Sequence, residues 1–321
     1  MRILFITSTR VGDAVLSTGI LSYLIDRYPG ARVTVVAGPA AAPVFQAMPG
    51  LEQLMPITKM SYGRHWFGLW KQCAFRRWDI VVDLRRSLIA WMLIAGERYV
   101  IPKIDAPMHR VELLAATLGL RDAPPSPRLW TDQSHEAAAA SMIPDGPAVL
   151  ALAPAANWRG KQWAADRFVA LAGRLTAPDG PLPGAPVAVF AAESERDQID
   201  TVLSQIPAEQ LIDTVGAIDL PTIAACLKRC ALFVGNDSGL MHMAAACDTP
   251  TLGLFGPSKQ EHYAPWGPHT AWVRTPESFD ELTGAADYNH RTTESLMGGL
   301  SVDQADAAAR ALWQTSQSAA P

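Results

Sequence analysis

Short apolar runs recur along the chain, each ending on glycine, proline or a polar turn. In the first half they are Arg2–Ile6 (RILFI), Arg32–Gly38 (RVTVVAG), Asp79–Leu84 (DIVVDL) and Arg98–Pro102 (RYVIP). Their continuous, β-branched character is that of strands covered on both faces. A helical stretch fills about Asp13 to Tyr28 and closes on Pro29-Gly30. Beyond residue 136 the pattern restarts. Ala148–Pro154, Pro186–Ala192, Leu211–Gly216, Ala231–Asn236 and Thr251–Gly256 read as strands with helical periodicity between them, and Thr176–Pro186 reads as a loop. Strands alternating with helices predict an α/β protein with parallel sheets. Arg121–Glu136 (RDAPPSPRLWTDQSHE) is proline-rich and aperiodic, as an interdomain linker is. The expected architecture is two doubly wound, Rossmann-like units, 1–135 and 136–321. Such sheets bind ligands beyond the carboxyl ends of their strands, here in a cleft between the units.

Composition adds three constraints. The 321 residues are 49% hydrophobic and 18% charged, enough apolar material for two cores. The uncharged run Ser87–Gly96 is half of what a bilayer needs, and Val33–Leu51 is broken by Pro39, Pro43 and Pro49. The N-terminal apolar run is too short for a signal peptide. Cys73, Cys226, Cys230 and Cys247 form no C-x-x-C pattern, so a cytoplasmic protein with reduced thiols is expected. The net charge of −4 is uneven. Residues 1–135 hold 16 basic against 10 acidic side chains, and the rest hold 11 against 21. A basic first half suits an anionic partner or an anionic membrane surface.

The chemistry concentrates where strands meet helices. Leu232–Ala246 (LFVGNDSGLMHMAAA) runs from a strand through Asn236-Asp237-Ser238 into an Ala-rich helix containing His242. Asp237 or Ser238 can cap that helix. Gly239 lets a ligand approach the backbone, and the amides of Ser238, Gly239 and Leu240 with the helix dipole form an anion site suited to a diphosphate. After the first strand, Thr7–Ser17 (TSTRVGDAVLS) places Gly12 and Asp13 at a helix start, where a carboxylate is either a dipole partner or a general base. Lys161 stands just before an amphipathic helix, either solvated or neutralising phosphate oxygens. Trp163 reads as core. The chain lacks G-x-G-x-x-G and a P-loop, against a dinucleotide or NTPase site. It also lacks the D-x-D pair of metal-dependent sugar transferases.

The segment FVGNDSGLMHMAAACDTPTLGLFGP resembles the signature of the glycosyltransferase family that contains the ADP-heptose:lipopolysaccharide heptosyltransferases, glycosyltransferase family 9. RVGDAVLSTGILSYLIDRYPGARV, WDIVVDLRRS (Trp78–Ser87) and KQWAADRFVALA (Lys161–Ala172) are similar to other family segments in the same order. SVDQADAAARAL is similar to its closing helix, about 301–316. The resemblance implies a GT-B fold, with an acceptor-side first domain and a nucleotide-sugar-binding second domain. It implies inverting, metal-independent sugar transfer without a cofactor, from a nucleotide-sugar donor such as ADP-heptose. The acceptor it implies is an anionic, lipid-linked saccharide at the cytoplasmic face of the inner membrane; no nucleic acid is involved. Asp13 matches the family's general base and Lys161 a donor-phosphate contact. Gly12, Asp237, Ser238, Gly239, Leu240 and His242 fall in the substrate-binding turns. Glu195 matches an acidic donor contact, with Glu193 as a rival.

Pro276–Leu300 matches no heptose-specific feature, so the sugar rests on the resemblance. Met60–Asp79 has Trp66, Trp70 and Cys73 at helical spacing with Arg64, Lys71, Arg76 and Arg77 interleaved. It fits either a helix touching anionic lipid through Trp66 and Arg76 or an ordinary helix packed on its sheet. The alternatives are a transferase of the same family using another sugar nucleotide, a two-lobe sugar-nucleotide epimerase, a nicotinamide oxidoreductase and a non-catalytic nucleotide-binding module.

Overall fold

The computed structural model describes residues 1–104, 106–284, 288–289 and 293–318. The chain divides into two compact units, Met1–Asp132 and Gln133–Pro321.

Among the described residues, the first unit carries strands β1 (Arg2–Ile6), β2 (Arg32–Ala37), β3 (Leu51–Pro56), β4 (Trp78–Asp83) and β5 (Ala95–Val100). All are parallel, in the order β3-β2-β1-β4-β5. Its helices are α1 (Val11–Arg27), α2 (Arg64–Cys73), α3 (Ile89–Met92) and α4 (Arg110–Ala116). From β1 the chain steps one way to β2 and β3, then crosses back to β4 and β5. Right-handed crossovers therefore put α1 on one face and α2 with α3 on the other. Leu69 and Cys73 of α2 join Ile89 and Ala90 of α3 in one core with Leu4, Ile6 and Val81.

The second unit opens with α5 (Gln133–Met142). Its strands are β6 (Leu150–Ala153), β7 (Val187–Val189), β8 (Leu211–Asp213), β9 (Leu232–Asn236), β10 (Thr251–Phe255) and β11 (Thr270–Arg274). They form a second parallel sheet, β11-β10-β9-β6-β7-β8. Helices α6 (Ala165–Thr176), α7 (Asp200–Gln205), α8 (Leu220–Leu227), α9 (Gly239–Ala246), α10 (Gln260–Tyr263), α11 (Phe279–Thr283) and α12 (Val302–Ser318) complete it. Trp163 and Phe168 are buried in its core, packed edge to face at 5.1 Å.

Each sheet has one switch point, where the strand order reverses: between β1 and β4 in the first unit, and between β6 and β9 in the second. Loops leaving the carboxyl ends of such a strand pair diverge to opposite faces and leave a crevice.

The differences from the sequence reading lie at the sheet edges. β3 (LEQLMP) and β11 (TAWVR) mix polar and apolar residues and were not anticipated. β5 begins at Ala95 rather than Arg98, and β8 ends at Asp213 rather than Gly216. All four are outermost strands, half exposed, so a continuous apolar run does not mark them. The proline-rich stretch 121–136 is only partly a tether. The Arg128 N–H donates to Thr18 Oγ1 at 2.9 Å, and Leu129 and Trp130 are buried. A Cβ on Gly19 would come within 2.2 Å of the Pro125 carbonyl oxygen, so glycine lets this strap lie on α1.

Candidate functional site

At the first switch point the chain leaves β1 through Thr7–Arg10 and enters α1, with Asp13 in its first turn. The N-terminal end of the helix dipole favours that carboxylate. Ser8 Oγ donates to Asp13 Oδ2 at 3.4 Å, and Arg110 Nε of α4 stands 3.7 Å from Asp13 Oδ1. A cavity of about 370 Å³ opens there, lined by Thr7, Ser8 and Asp13 from the β1 side and by Leu84, Arg85 and Arg86 from the β4 side. Lys103 and Arg110 also line it, so four cationic side chains share the lining with Asp13, the one carboxylate among its described residues.

Asp83, the last residue of β4, shapes the far wall. Fully buried, it accepts hydrogen bonds from the Arg85 and Ser87 amides, each at 2.8 Å, and from Ser87 Oγ at 2.7 Å. These bonds fold the loop tightly, and Arg86 sits in the left-handed region at φ 52°. Burial pushes the Asp83 carboxyl above the usual carboxylate range, and the three hydrogen bonds oppose the shift without cancelling it.

At the second switch point β6 and β9 lie side by side, with Ala153 opposite Gly235. Asn236 ends β9 and ties the two exits together. Its amide donates to the Pro154 carbonyl at 2.7 Å, and its oxygen accepts from the Trp163 N–H at 3.1 Å. That clamp brings Lys161 Nζ to 2.5 Å from Asp237 Oδ2. Lys161 Nζ also lies 6.0 Å from the centre of the Trp158 ring. Ser238 occupies the N-cap position of α9, but its side chain makes no capping bond. Ser238 Oγ and Trp158 Nε1 are buried with no hydrogen-bond partner among the described residues. Such orphaned groups fit a ligand rich in acceptor oxygens, because a buried unmatched donor is costly. Ser238, Gly239 and Leu240 stay partly exposed at the helix start, where backbone amides have no intrahelical acceptor.

The structure thus brings Lys161, Asp237, Ser238, Gly239 and Leu240 together in the second unit, and places Asp13 in the cavity of the first. Gly12 precedes Asp13 in the first turn of α1 but does not line the cavity. His242 is buried in α9, one turn beyond Ser238, with its ring centre 6.4 Å from that of Tyr263. The capping expectation needs correcting, since Asp237 turns to Lys161 instead. Glu195 and Glu193 follow β7. The Glu195 carboxylate accepts from the Ala192 amide at 3.0 Å, holding its own turn. Glu193 lies over Gly216, where a Cβ would come within 2.0 Å of Glu193 Oε2. Of the segment 276–300, residues 285–287 and 290–292 lie outside the described residues. Residues 294–296 brace the Lys161 loop: the Leu296 N–H donates to the Gly160 carbonyl at 3.0 Å, and Arg159 pairs with Glu294 at 2.9 Å.

Sequence reasoning missed Lys103, Arg110, Asp83, Asn236 and Trp158 as site residues. Arg85 and Arg86 stood inside a quoted motif without a role. Asp83 had a readable signal, an aspartate ending a strand two residues before an arginine and four before a serine, which is an Asx-turn pattern. Arg110 had none, because its place at Asp13 depends on how α4 packs against α1.

Two parallel Rossmann-like sheets, each with its loops gathered at a switch point, define the GT-B architecture of sugar transferases. The family model for glycosyltransferase family 9 (heptosyltransferase) matches residues 72–283. The chain belongs to glycosyltransferase family 9, and it is a glycosyltransferase. It is 25% identical over 304 residues to lipopolysaccharide heptosyltransferase 2 of Salmonella typhimurium, covering 83% of this chain and 85% of that protein. It is 24% identical over 290 residues to lipopolysaccharide heptosyltransferase 3 of Escherichia coli, covering 79% and 82%. Among solved structures, the family 9 glycosyltransferase of Veillonella parvula superposes with a TM-score of 0.77 at 20% identity, covering 98% of this chain and 97% of that one. The E. coli ADP-heptose lipopolysaccharide heptosyltransferase II superposes with a TM-score of 0.75 at 19% identity, covering 99% and 100%. No helix among the described residues is long and apolar enough to cross a membrane.

Proposed function

We propose that this glycosyltransferase moves heptose from ADP-heptose onto a lipopolysaccharide core acceptor, with inversion and without a metal ion, at the cytoplasmic face of the inner membrane. The observation that carries the proposal is the second switch point: Lys161 and Asp237 are paired at the turn that opens α9, whose N-cap side chain makes no capping bond. A departing diphosphate gains negative charge, and a lysine with a helix N-terminus stabilises it electrostatically. Heptose and lipopolysaccharide are supported by the functions of the relatives above, and adenine by the E. coli heptosyltransferase WaaC structure solved with ADP.

In this reading the second unit holds the donor and the first meets the acceptor. Asp13 takes the proton from the acceptor hydroxyl. The resulting oxygen attacks the anomeric carbon from the face opposite the diphosphate. The bond to the diphosphate oxygen breaks in the same step, and ADP leaves with the electron pair. One in-line attack inverts the anomeric centre, so one carboxylate suffices. The cations around Asp13 suit an acceptor bearing carboxylates or phosphates.

The test is a thermal-shift panel of ADP, UDP, GDP and CDP in the presence of a chelator, followed by turnover with ADP-heptose. Saturation at 100 times Kd should add about 2.7 kcal/mol of stability. A selective ADP shift and turnover unaffected by the chelator are expected. A selective UDP or GDP shift removes heptose from the proposal, and loss of turnover with the chelator removes metal independence.

A further inference from the structure

Exposed large apolar side chains are normal when scattered and informative when clustered. Ten are prominent among the described residues of this chain, and eight of them fall between Met60 and Ile94. They sit on α2, α3 and the adjoining turns, the two helices that share one face of the first sheet. Each helix is two-sided. In α2, Leu69 and Cys73 are buried and Trp66 and Trp70 pack partly against the same core, while Phe67 faces out at 59% exposure. Around α3, Ile89, Ala90 and Leu93 are buried, while Leu88, Trp91, Met92 and Ile94 are exposed, Trp91 by 67%. Trp66 and Trp70 thus follow the reading of α2 as a helix packed on its sheet, and a different set of side chains points outward.

Charge decides what this face fits. Residues 59–94 hold seven lysines and arginines against Asp79 and Asp83. Asp83 is buried, and Asp79 Oδ2 accepts the Arg2 amide at 2.7 Å. Arg64, Phe67 and Lys71 line one exposed stripe of α2, and Lys71 Nζ stands 4.7 Å from the centre of the Phe67 ring. An apolar ring beneath a cation suits a boundary where acyl chains meet anionic headgroups. The loop at 84–88 links this face to the Asp13 cavity: Arg85 and Arg86 line the cavity, and Leu88, two residues on, opens the exposed apolar run.

We infer that the α2–α3 face of the first unit docks on an anionic phospholipid surface, inserting Phe67, Leu88 and Trp91 while Arg64, Lys71 and Arg77 meet the headgroups. The inference deepens the acceptor half of the proposed function. It places the cavity mouth beside the membrane that carries a lipid-linked acceptor.

The experiment is flotation of the full chain with phosphatidylglycerol-containing vesicles and with pure phosphatidylcholine vesicles, at low and high salt. The wild-type protein should float with the anionic vesicles, and salt should weaken the binding. The surface variant Phe67→Ser/Trp91→Ser should lose at least tenfold in binding. Its thermal midpoint and its shift with ADP should be unchanged, which separates loss of docking from misfolding. Absence of wild-type flotation, or flotation indifferent to both substitutions, overturns the inference. So does concentration-dependent self-association that the double variant abolishes without any vesicle binding, because the face then joins two copies of this chain. Turnover on a deacylated acceptor is scored separately: it can persist while docking fails, or fail while docking holds.

Discussion

The two switch points are built on the same topology and treat charge in opposite ways. In the second unit the cation Lys161 already has its counter-ion, Asp237, 2.5 Å away and almost fully buried. In the first, Arg85, Arg86, Lys103 and Arg110 line a cavity in which Asp13 is the one carboxylate among the described residues. On the proposed reading, a paired lysine offers a diphosphate an exchange: the ligand would take Lys161 from Asp237 and meet the amides of α9. A cluster of cations around a carboxylate offers an anion direct attraction beside the group that would act as base. On the proposed reading, the same kind of crevice serves as a leaving-group site in one unit and a base site in the other. The residues that the two loop exits carry make the difference.

The sharpest break in that comparison is Asp13→Asn. Removing a positioned base costs on the order of 10²–10⁴-fold in turnover. The expected variant is folded, shows the wild-type thermal shift with ADP and has lost kcat in an ADP-release assay. Near-normal kcat would return Asp13 to the role of a dipole partner for α1.

A second break separates pairing from binding in the other unit. Lys161→Met leaves the Asp237 carboxylate buried without its cation, at a stability cost of about 1–3 kcal/mol. Adding Asp237→Asn should restore most of that stability, because it removes the stranded charge, while donor affinity stays lost. Chemical denaturation of the two single variants and the double variant measures the coupling. Additive effects would show that the pair contributes nothing jointly, and recovered ADP affinity in the double variant would remove Lys161 from the donor site.

What could be read from the sequence follows from how locally each feature is encoded. Central strands such as β1, β2, β4, β9 and β10 are continuous apolar runs because both faces are covered, and their turns carry Asp13, Asp237 and Ser238 at fixed short offsets. Edge strands β3 and β11 are half exposed, and their polar residues hide them. Lys161 was legible as a lone lysine before a helix, whereas its pairing with Asp237 joins segments 76 residues apart. The clamp by Asn236 that creates it is written only in the register of β6 against β9. Arg110 reaches Asp13 through helix packing, which no local pattern carries. Trp66 and Trp70 had the right spacing for a surface stripe, but spacing alone does not say which side of α2 faces the sheet.

The smallest effect concerns the wall of the first site, and its sign is diagnostic. Burial raises the Asp83 carboxyl above the usual range, so the folded state holds its proton at a pH where the unfolded chain has released it. The stability from this group is complete below the ordinary carboxylate pKa and is lost as pH rises through the raised value. Asp83→Asn removes that dependence. It also leaves one acceptor oxygen for the Arg85 and Ser87 amides, which now use two. The variant should be less stable than wild type by about 1–2 kcal/mol, in keeping with one unmet buried amide. Linkage requires the difference to shrink as pH rises from the acid range toward neutrality, in paired denaturation curves at matched ionic strength. A difference that grows instead would mean that the three hydrogen bonds outweigh burial. Asp83 would then hold Arg85 and Arg86 at the cavity as a stable anion, much as Asp237 holds Lys161.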